Sequence, residues 1–413
     1  MFRIFASSAR YACSVPAPAR ALSTVAGVPP DPELEPIREA VRDLCAGFPG
    51  SYWRGLDEKR EYPAAFVEAL QDAGYLSMLI PEEYGGTSNS LREACAVLEE
   101  VHRSGCNGGA AHAQMYTMGT VLRHGSDEQK RRFLPGIASG ELRLQAFGVS
   151  EPNNGTDTLS LETTATKDGD EYVISGQKMW TSRAEHSDLM LCLARTASRE
   201  EAGSRSLSMF IVDMRAQKAA GALSITPVET MMNHSTTTIF MDGMRVPAAN
   251  RIGEEGEGFK CVLTSMNAER LLIAAECIGD GRYFVDKATA YANERTVFGR
   301  PIGHNQGVAF PIASAYAKIE AAALMVDKGA QLYDAGMNAE CGALANMAKM
   351  LAADASWEAA DVCVQTHGGY GFAKEFDVER KFRETRLYRV APISTNLILS
   401  FVAEKVLGLP RSY

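Results

Sequence analysis

The chain lacks any run of roughly 18 to 20 consecutive apolar residues, the length a bilayer crossing needs, so no membrane span is expected. Cysteine is present without organisation: nine are scattered over 413 residues, with no C-x-x-C pair and no histidine at metal-ligand spacing. That odd, unpatterned set argues for buried thiols in a reduced compartment and against a disulfide framework or a metal site. Positive charge is the minority, 42 Lys and Arg against 51 Asp and Glu, and a net charge of -9 argues against a nucleic-acid partner. No internal repeat and no low-complexity tract follows residue 30.

Two local absences are more informative. Residues 1–30 carry Arg3, Arg10 and Arg20, many Ala and Ser, and no acid before Asp31, the composition of a mitochondrial presequence. The end Arg411-Ser412-Tyr413 is not a peroxisomal address, so the mitochondrial matrix is the expected location. The second absence is at the other end, where Ala391-Pro392-Ile393-Ser394-Thr395-Asn396 contains no carboxylate.

What is present fits a soluble protein with a substantial core, 46% apolar and 23% charged, and a length that predicts two or three domains. From 31 to 142 apolar residues recur at helical spacing, as in Phe66, Leu70, Tyr75 and again Cys95, Leu98, Val101. From 143 to 252 the texture becomes short β-branched or alternating runs between Gly, Asp and Ser turns, which predicts an antiparallel β-domain. From 253 to 413 the helical period returns, over a length that suits a four-helix-bundle-like domain.

Phe147-Gly148-Val149-Ser150-Glu151-Pro152 and the following Asn153-Asn154-Gly155-Thr156 set small and hydroxyl residues around a loop. Lys178-Met179-Trp180-Thr181-Ser182 then follows a predicted strand. Backbone N–H groups, hydroxyls and one flat indole suit a planar heterocycle, although each segment alone reads equally well as a turn or a strand with a core Trp. Further on stand Tyr291-x-x-x-Arg295-x-x-Phe298-Gly299-Arg300-Pro301-Ile302-x-x-x-Gln306, Gln365-Thr366-His367-Gly368-Gly369-Tyr370-Gly371 and Glu379-Arg380-Lys381-Phe382-Arg383-Glu384.

In this order, and with Gly125-Ser126-Asp127-Glu128-Gln129-Lys130 ahead of them, the segments resemble the acyl-CoA dehydrogenase family over nearly the whole chain after residue 30. The resemblance implies FAD held between domains of one subunit and its neighbour, in a homotetramer built as a dimer of dimers. Phe147, Val149, Ser150, Trp180 and Ser182 are then expected along the isoalloxazine. Arg295, Phe298, Gln306, Gln365, Gly368 and Gly369 are expected at the pyrophosphate and adenosine end of the partner's FAD. A guanidinium suits a diphosphate because it offers two directed bonds. Thr156 and Arg270 resemble positions near the acyl-CoA, and Asn267 stands where family members often carry an acid against the pantetheine.

The family removes the α-proton of an acyl-CoA with a Glu, mounted in most members in a Y-E-G-T run near the C-terminus. Here that position falls on Pro392 or, with a one-residue shift, on Ile393, neither of which accepts a proton. A smaller set, including isovaleryl and long-chain types, mounts it on a helix in an E-R pair, which Glu269-Arg270 matches. Glu269 is therefore the expected base, although a Glu beside an Arg is ordinarily a surface ion pair. Because proline has no N–H, Ile393 is expected to offer the backbone donor for the thioester carbonyl, with Ser394 and Asn396 as candidate flavin contacts. A short or branched acyl-CoA is the expected substrate and electron-transfer flavoprotein the expected electron acceptor. The alternatives are an acyl-CoA oxidase or flavin monooxygenase of the same fold, and a non-enzymatic respiratory assembly factor.

Overall fold

The computed structural model describes residues 31–411; the presequence expectation, on residues 1–30, lies outside them. Six helices come first: α1 (Glu35–Ala46), α2 (Gly50–Lys59), α3 (Ala64–Asp72), α4 (Leu91–Arg103), α5 (Gly109–His124) and α6 (Asp127–Ser139). α4 and α6 begin with reciprocal capping boxes, Ser90 with Glu93 and Ser126 with Gln129, so both starts are set by local side chains.

Eight strands follow: β1 (Leu144–Gly148), β2 (Thr164–Asp168), β3 (Glu171–Ser182), β4 (Leu189–Arg195), β5 (Leu207–Asp213), β6 (Leu223–Pro227), β7 (Thr236–Pro247) and β8 (Arg251–Ile252). Two short helices, α7 (Arg199–Ala202) and α8 (Met214–Ala219), interrupt them. The sheet order is β6-β7-β3-β2-β4-β5-β8 and most pairs are antiparallel. β1 departs from the antiparallel expectation: it runs parallel to β4, with Phe147 opposite Leu191. A parallel pair needs a long crossover, and β2 and β3 supply it.

Strand alternation divides the core in two. Leu189, Leu191 and Leu193 of β4 and Leu207, Met209 and Ile211 of β5 pack against the helices. Their neighbours Met190, Cys192, Phe210 and Val212 fill a second core within the sheet. Because successive side chains point to opposite faces, two strands serve both cores.

The C-terminal part is built on α9 (Gly258–Glu294), α10 (Gln306–Asp334) and α11 (Asn338–His367), with a small hairpin, β9 (Thr296–Val297) and β10 (Arg300–Pro301), between the first two. Short helices α12 (Val378–Thr385) and α13 (Thr395–Phe401) complete it. α9 touches α4, α5, α10 and α11, so it is enclosed on several sides and buries residues around most of its circumference, Glu269, Arg270, Glu276 and Asp280 among them. Gly279 lets it approach α4: an added Cβ would meet the Glu99 carbonyl oxygen at 2.2 Å. Gly279→Ala is accordingly expected to destabilise the fold by about 1–3 kcal/mol, as overpacking does. A thermal or denaturant midpoint equal to wild type would refute that close approach.

α10 is long and apolar enough, by length and composition, to cross a membrane, with mean hydropathy 1.3 and 22% of the window buried. It nevertheless carries Lys318 and Glu320 near its middle, and Glu320 accepts two bonds from Arg282 of α9 at 3.0 Å. Phe310, Tyr316 and Leu324 stand exposed on it.

Candidate active site

Two connected cavities lie between the sheet and the C-terminal helices. The larger, about 1220 Å³, has Ser150, Thr156, Trp180, Ser182, Asn267, Arg270, Ile393 and Ser394 among its walls. The smaller, about 270 Å³, is walled by His112, Tyr116, Phe147, Val149, Arg183, Glu269, Glu276 and Tyr388. Ser150, Trp180, Ser182, Val262, Met266, Ala391 and Pro392 border both, so one wall runs from end to end.

The loop after β1 is held from below. Glu151 and Lys178 form a buried ion pair at 2.8 Å, and Glu151 also accepts from the backbone N–H groups of Glu162 and Thr163 at 2.6 and 3.0 Å. Burial would raise the Glu151 pKa, but Lys178 and these donors hold it below the usual carboxylate range. Above this anchor the Ser150 carbonyl accepts from the Met179 N–H at 2.9 Å, which ties the loop to β3. Between Lys178 and Thr181 the β3–β7 register shifts, and Trp180 takes a positive φ of 64°. That bulge turns the indole outward, 56% exposed, at the junction of the cavities. A large flat ring held out on strained backbone is a stacking surface.

α9 supplies the opposite wall through Val262, Met266, Glu269, Ile273 and Glu276, which recur every three or four residues on one helical face. Glu269 is 7% exposed and makes no hydrogen bond or ion pair among the described residues. The ordinary E-R ion pair does not form, because the Arg270 guanidinium donates instead to Asn267 Oδ1 at 3.1 Å. Desolvation raises the Glu269 pKa, offset in part by His112, Arg270 and Lys349. The result is a carboxylate with raised proton affinity and a free face toward a cavity.

Residues 391–396 divide between the two cavities. Ala391 and Pro392 wall the cavity that holds Glu269, whereas Ile393 and Ser394 border only the larger one and Asn396 borders neither. The reason is local: Lys349 Nζ donates to the Ile393 carbonyl at 2.8 Å, and Ser394 caps α13 by accepting from the Leu397 N–H. Ile393 is thus held to α11, and Pro392, which has no N–H, is on the wall of the cavity that holds Glu269.

A second group stands apart from both cavities. Arg295, Phe298, Gln306, Gln365, Gly368 and Gly369 are exposed, Phe298 at 99%, where α9, the β9–β10 hairpin and the end of α11 meet. Tyr291 stacks on His367 at 4.3 Å, which brings these chain segments side by side. An aromatic ring wholly in solvent at positive φ is unexplained within one chain.

The polar end of the smaller cavity was not foreseen. His112, Arg183, His234 and Glu276 come from α5, the turn after β3, the segment before β7, and α9. The available signal was the spacing of Gly109, His112, Ala113 and Tyr116, one face of a helix that all four residues turn to the cavity.

Three family models match the chain in order: acyl-CoA dehydrogenase N-terminal domain over residues 31–141, middle domain over 146–244 and C-terminal domain over 256–407. Acyl-CoA dehydrogenase FadE12 of Mycobacterium tuberculosis is 36% identical over 386 residues, 92% of this chain and 97% of its own. Cyclohexane-1-carbonyl-CoA dehydrogenase of Geobacter metallireducens is 32% identical over 379 residues, 90% and 96% of the two chains. Among solved structures, a glutaryl-coenzyme A dehydrogenase complex superposes with a TM-score of 0.86 at 29% identity, covering 94% of this chain and 98% of the other. Butyryl-CoA dehydrogenase of Megasphaera elsdenii shares the fold, with a TM-score of 0.85 at 24% identity over 92% of this chain and 100% of the other. The chain belongs to the acyl-CoA dehydrogenase family.

Proposed function

We propose that the protein is an FAD-dependent acyl-CoA dehydrogenase of the mitochondrial matrix that forms a 2-enoyl-CoA, with Glu269 as the α-proton base and electron-transfer flavoprotein as electron acceptor. The observation that carries this reading is Glu269 itself: buried, unpaired, raised in pKa and facing the cavity, while residues 391–396 offer no rival carboxylate.

The larger cavity fits a big, flat, anionic cofactor and a CoA thioester. It has an exposed indole, the hydroxyls of Ser150, Thr156 and Ser182, and buried guanidinium nitrogens without partners among the described residues, Arg270 Nε and Arg386 Nη1. Phe147, Val149, Ser150, Trp180 and Ser182 would hold the ring of FAD, which supplies the acceptor for the hydride leaving the β-carbon. Arg270, Asn267 and Thr156 would hold the CoA side. Placing the α-carbon against Glu269 in a site closed to water strengthens the carboxylate as a base, because the charge it carries has few other partners. The N-terminal composition supports the matrix location, and the acyl-CoA chemistry of the curated relatives supports the substrate class.

Arg295, Phe298, Gln306, Gln365, Gly368 and Gly369 are proposed to meet the FAD of a neighbouring subunit. Their exposure, and the apolar face of α10, support an assembly of at least two copies and favour the family's tetramer.

The test is an anaerobic titration of the purified flavoprotein with isovaleryl-, butyryl- and octanoyl-CoA, followed by electron-transfer flavoprotein or oxygen. Bleaching by an acyl-CoA and rapid recovery with electron-transfer flavoprotein is expected. Fast recovery with oxygen alone would make it an oxidase, and a protein purified without flavin would favour the assembly-factor reading.

A further inference from the structure

The polar part of the smaller cavity's wall is built unlike an alkyl pocket. Arg183 is buried there and, among the described residues, has no carboxylate within 4.0 Å. Its one side-chain bond among the described residues is with His234 Nδ1, at 3.3 Å. Glu276 shares the cavity but is engaged elsewhere, with His112 at 3.4 Å and His102 at 3.5 Å. Glu384, also on the wall, is held by Arg380 at 2.8 Å and Lys381 at 3.2 Å. Burial pulls the Arg183 pKa down, opposed in part by Tyr62 and Glu276, yet a guanidinium keeps its charge, so a cation faces an enclosed space with no carboxylate in ion-pair contact among the described residues.

The surroundings are shaped for this guanidinium. Arg183 adopts a positive φ of 59°, unusual for a non-glycine residue, fixed by its N–H donating to the Ser235 carbonyl at 2.7 Å. Gly109 of α5 leaves the space the head group fills: an added Cβ would stand 2.1 Å from Arg183 Nη2. An uncompensated buried charge is costly unless a ligand supplies the opposite one. A bidentate carboxylate is the partner whose geometry a guanidinium matches.

We propose that Arg183 is the specificity-determining residue of this cavity and that the acyl group taken there ends in a carboxylate, so that the substrate is the monothioester of a dicarboxylic acid. The assignment rests on the dehydrogenase reading for the thioester end, where Glu269 and the α-carbon meet. Arg183 holds the opposite end and sets which acyl group is retained.

The test compares glutaryl-CoA with valeryl-CoA, and adipyl-CoA with hexanoyl-CoA, pairs equal in carbon number and differing in the terminal carboxylate. Anaerobic flavin bleaching and the ligand-induced rise in melting temperature are read on wild type, Arg183→Gln, Arg183→Lys and Gly109→Ala. Wild type is expected to half-saturate with a diacid thioester at a concentration roughly 10- to 100-fold below its monoacid counterpart, the weight of a hydrogen bond to a charged group. Arg183→Gln should erase that preference, Arg183→Lys should keep part of it, and Gly109→Ala should weaken it by displacing the guanidinium. If Arg183→Gln loses its flavin, the wild-type preference and the Gly109→Ala shift decide.

Equal or better use of the monoacids by wild type would overturn the carboxylate assignment and leave the dehydrogenase reading standing. Arg183-dependent binding of a diacid thioester that never bleaches the flavin would support the assignment and overturn the dehydrogenase reading.

Discussion

Glu269→Gln should leave a yellow, folded protein whose flavin is no longer bleached by acyl-CoA, with the reduction rate down by about 100- to 10,000-fold, the range lost with a positioned general base. The amide keeps the size and shape of the carboxyl group but cannot take a proton. Nothing on the cavity wall replaces it: residues 391–396 carry no acid, and Glu276, the other carboxylate of α9 there, is committed to two histidines. Stopped-flow absorbance of the flavin decides the matter, and bleaching near the wild-type rate would remove Glu269 from the mechanism.

The same substitution carries a stability consequence of opposite sign. Glu269 has a folded-state pKa above its unfolded value because it is desolvated. Its contribution to folding is therefore fully present below the unfolded pKa of about 4.3 and is lost as pH rises through the folded pKa. At neutral pH wild type bears the burden of an ionised, unpaired carboxylate, and Glu269→Gln does not. The variant should melt at a higher temperature than wild type at pH 7 to 8, with the gap closing toward pH 4. Flavin reduction by wild type should rise with pH across the same window, since only the ionised form accepts the α-proton. A melting gap that is flat with pH would mean that Glu269 is not desolvated in the folded protein.

How much of this was readable beforehand follows from how local each feature is. The E-R pair and the loop–Trp180–Ser182 segments are contiguous, so they could carry the family resemblance that implied the base and the stacking wall, whereas residue types alone left an ion pair and a core Trp as equal readings. Alternation in β4 and β5 was readable as strand, but not as two faces serving two cores. The parallel β1–β4 pair was not readable, because parallel neighbours are decided by a crossover rather than by either strand's composition. Arg183 escaped notice for a different reason. It follows Ser182 immediately, yet what gives it meaning is the absence of a partner carboxylate, and that absence exists only after four chain segments meet. Likewise Pro392, rather than Ile393, shares the cavity of Glu269, while Lys349, 44 residues away in sequence, holds the Ile393 carbonyl from α11.

Lys381→Met should be the most destabilising single change outside the cavity walls. Lys381 is fully buried on α12, with Nζ 2.5 Å from Asp280 and 3.2 Å from Glu384, and it donates to the Cys106 carbonyl at 3.1 Å. Asp280 is also 2.9 Å from His102 Nδ1. The Gly108 N–H lies 2.9 Å from His102 Nε2, so the ring is held with its Nδ1 toward Asp280. Burial alone would raise the Asp280 pKa; Lys381 and His102 hold it below the usual carboxylate range. Removing the ammonium leaves Asp280 without its cation, at a cost of about 3–5 kcal/mol for breaking a buried pair. The depressed pKa of Asp280 contributes stability above its unfolded value of about 3.9 that is lost as pH falls through the folded one. The deficit of Lys381→Met should therefore be full at pH 7 and shrink in acid, and Asp280→Asn combined with Lys381→Met should recover part of it. Denaturant midpoints of the single and double variants measure both effects, and a double variant no more stable than Lys381→Met would refute the pairing. The site should feel the loss as well. α12 carries Glu384 into the cavity wall beside Arg183 and meets α9 where Lys381 pairs with Asp280, eleven residues beyond Glu269, so Lys381 joins the helix bearing the proposed base to the cavity's polar end.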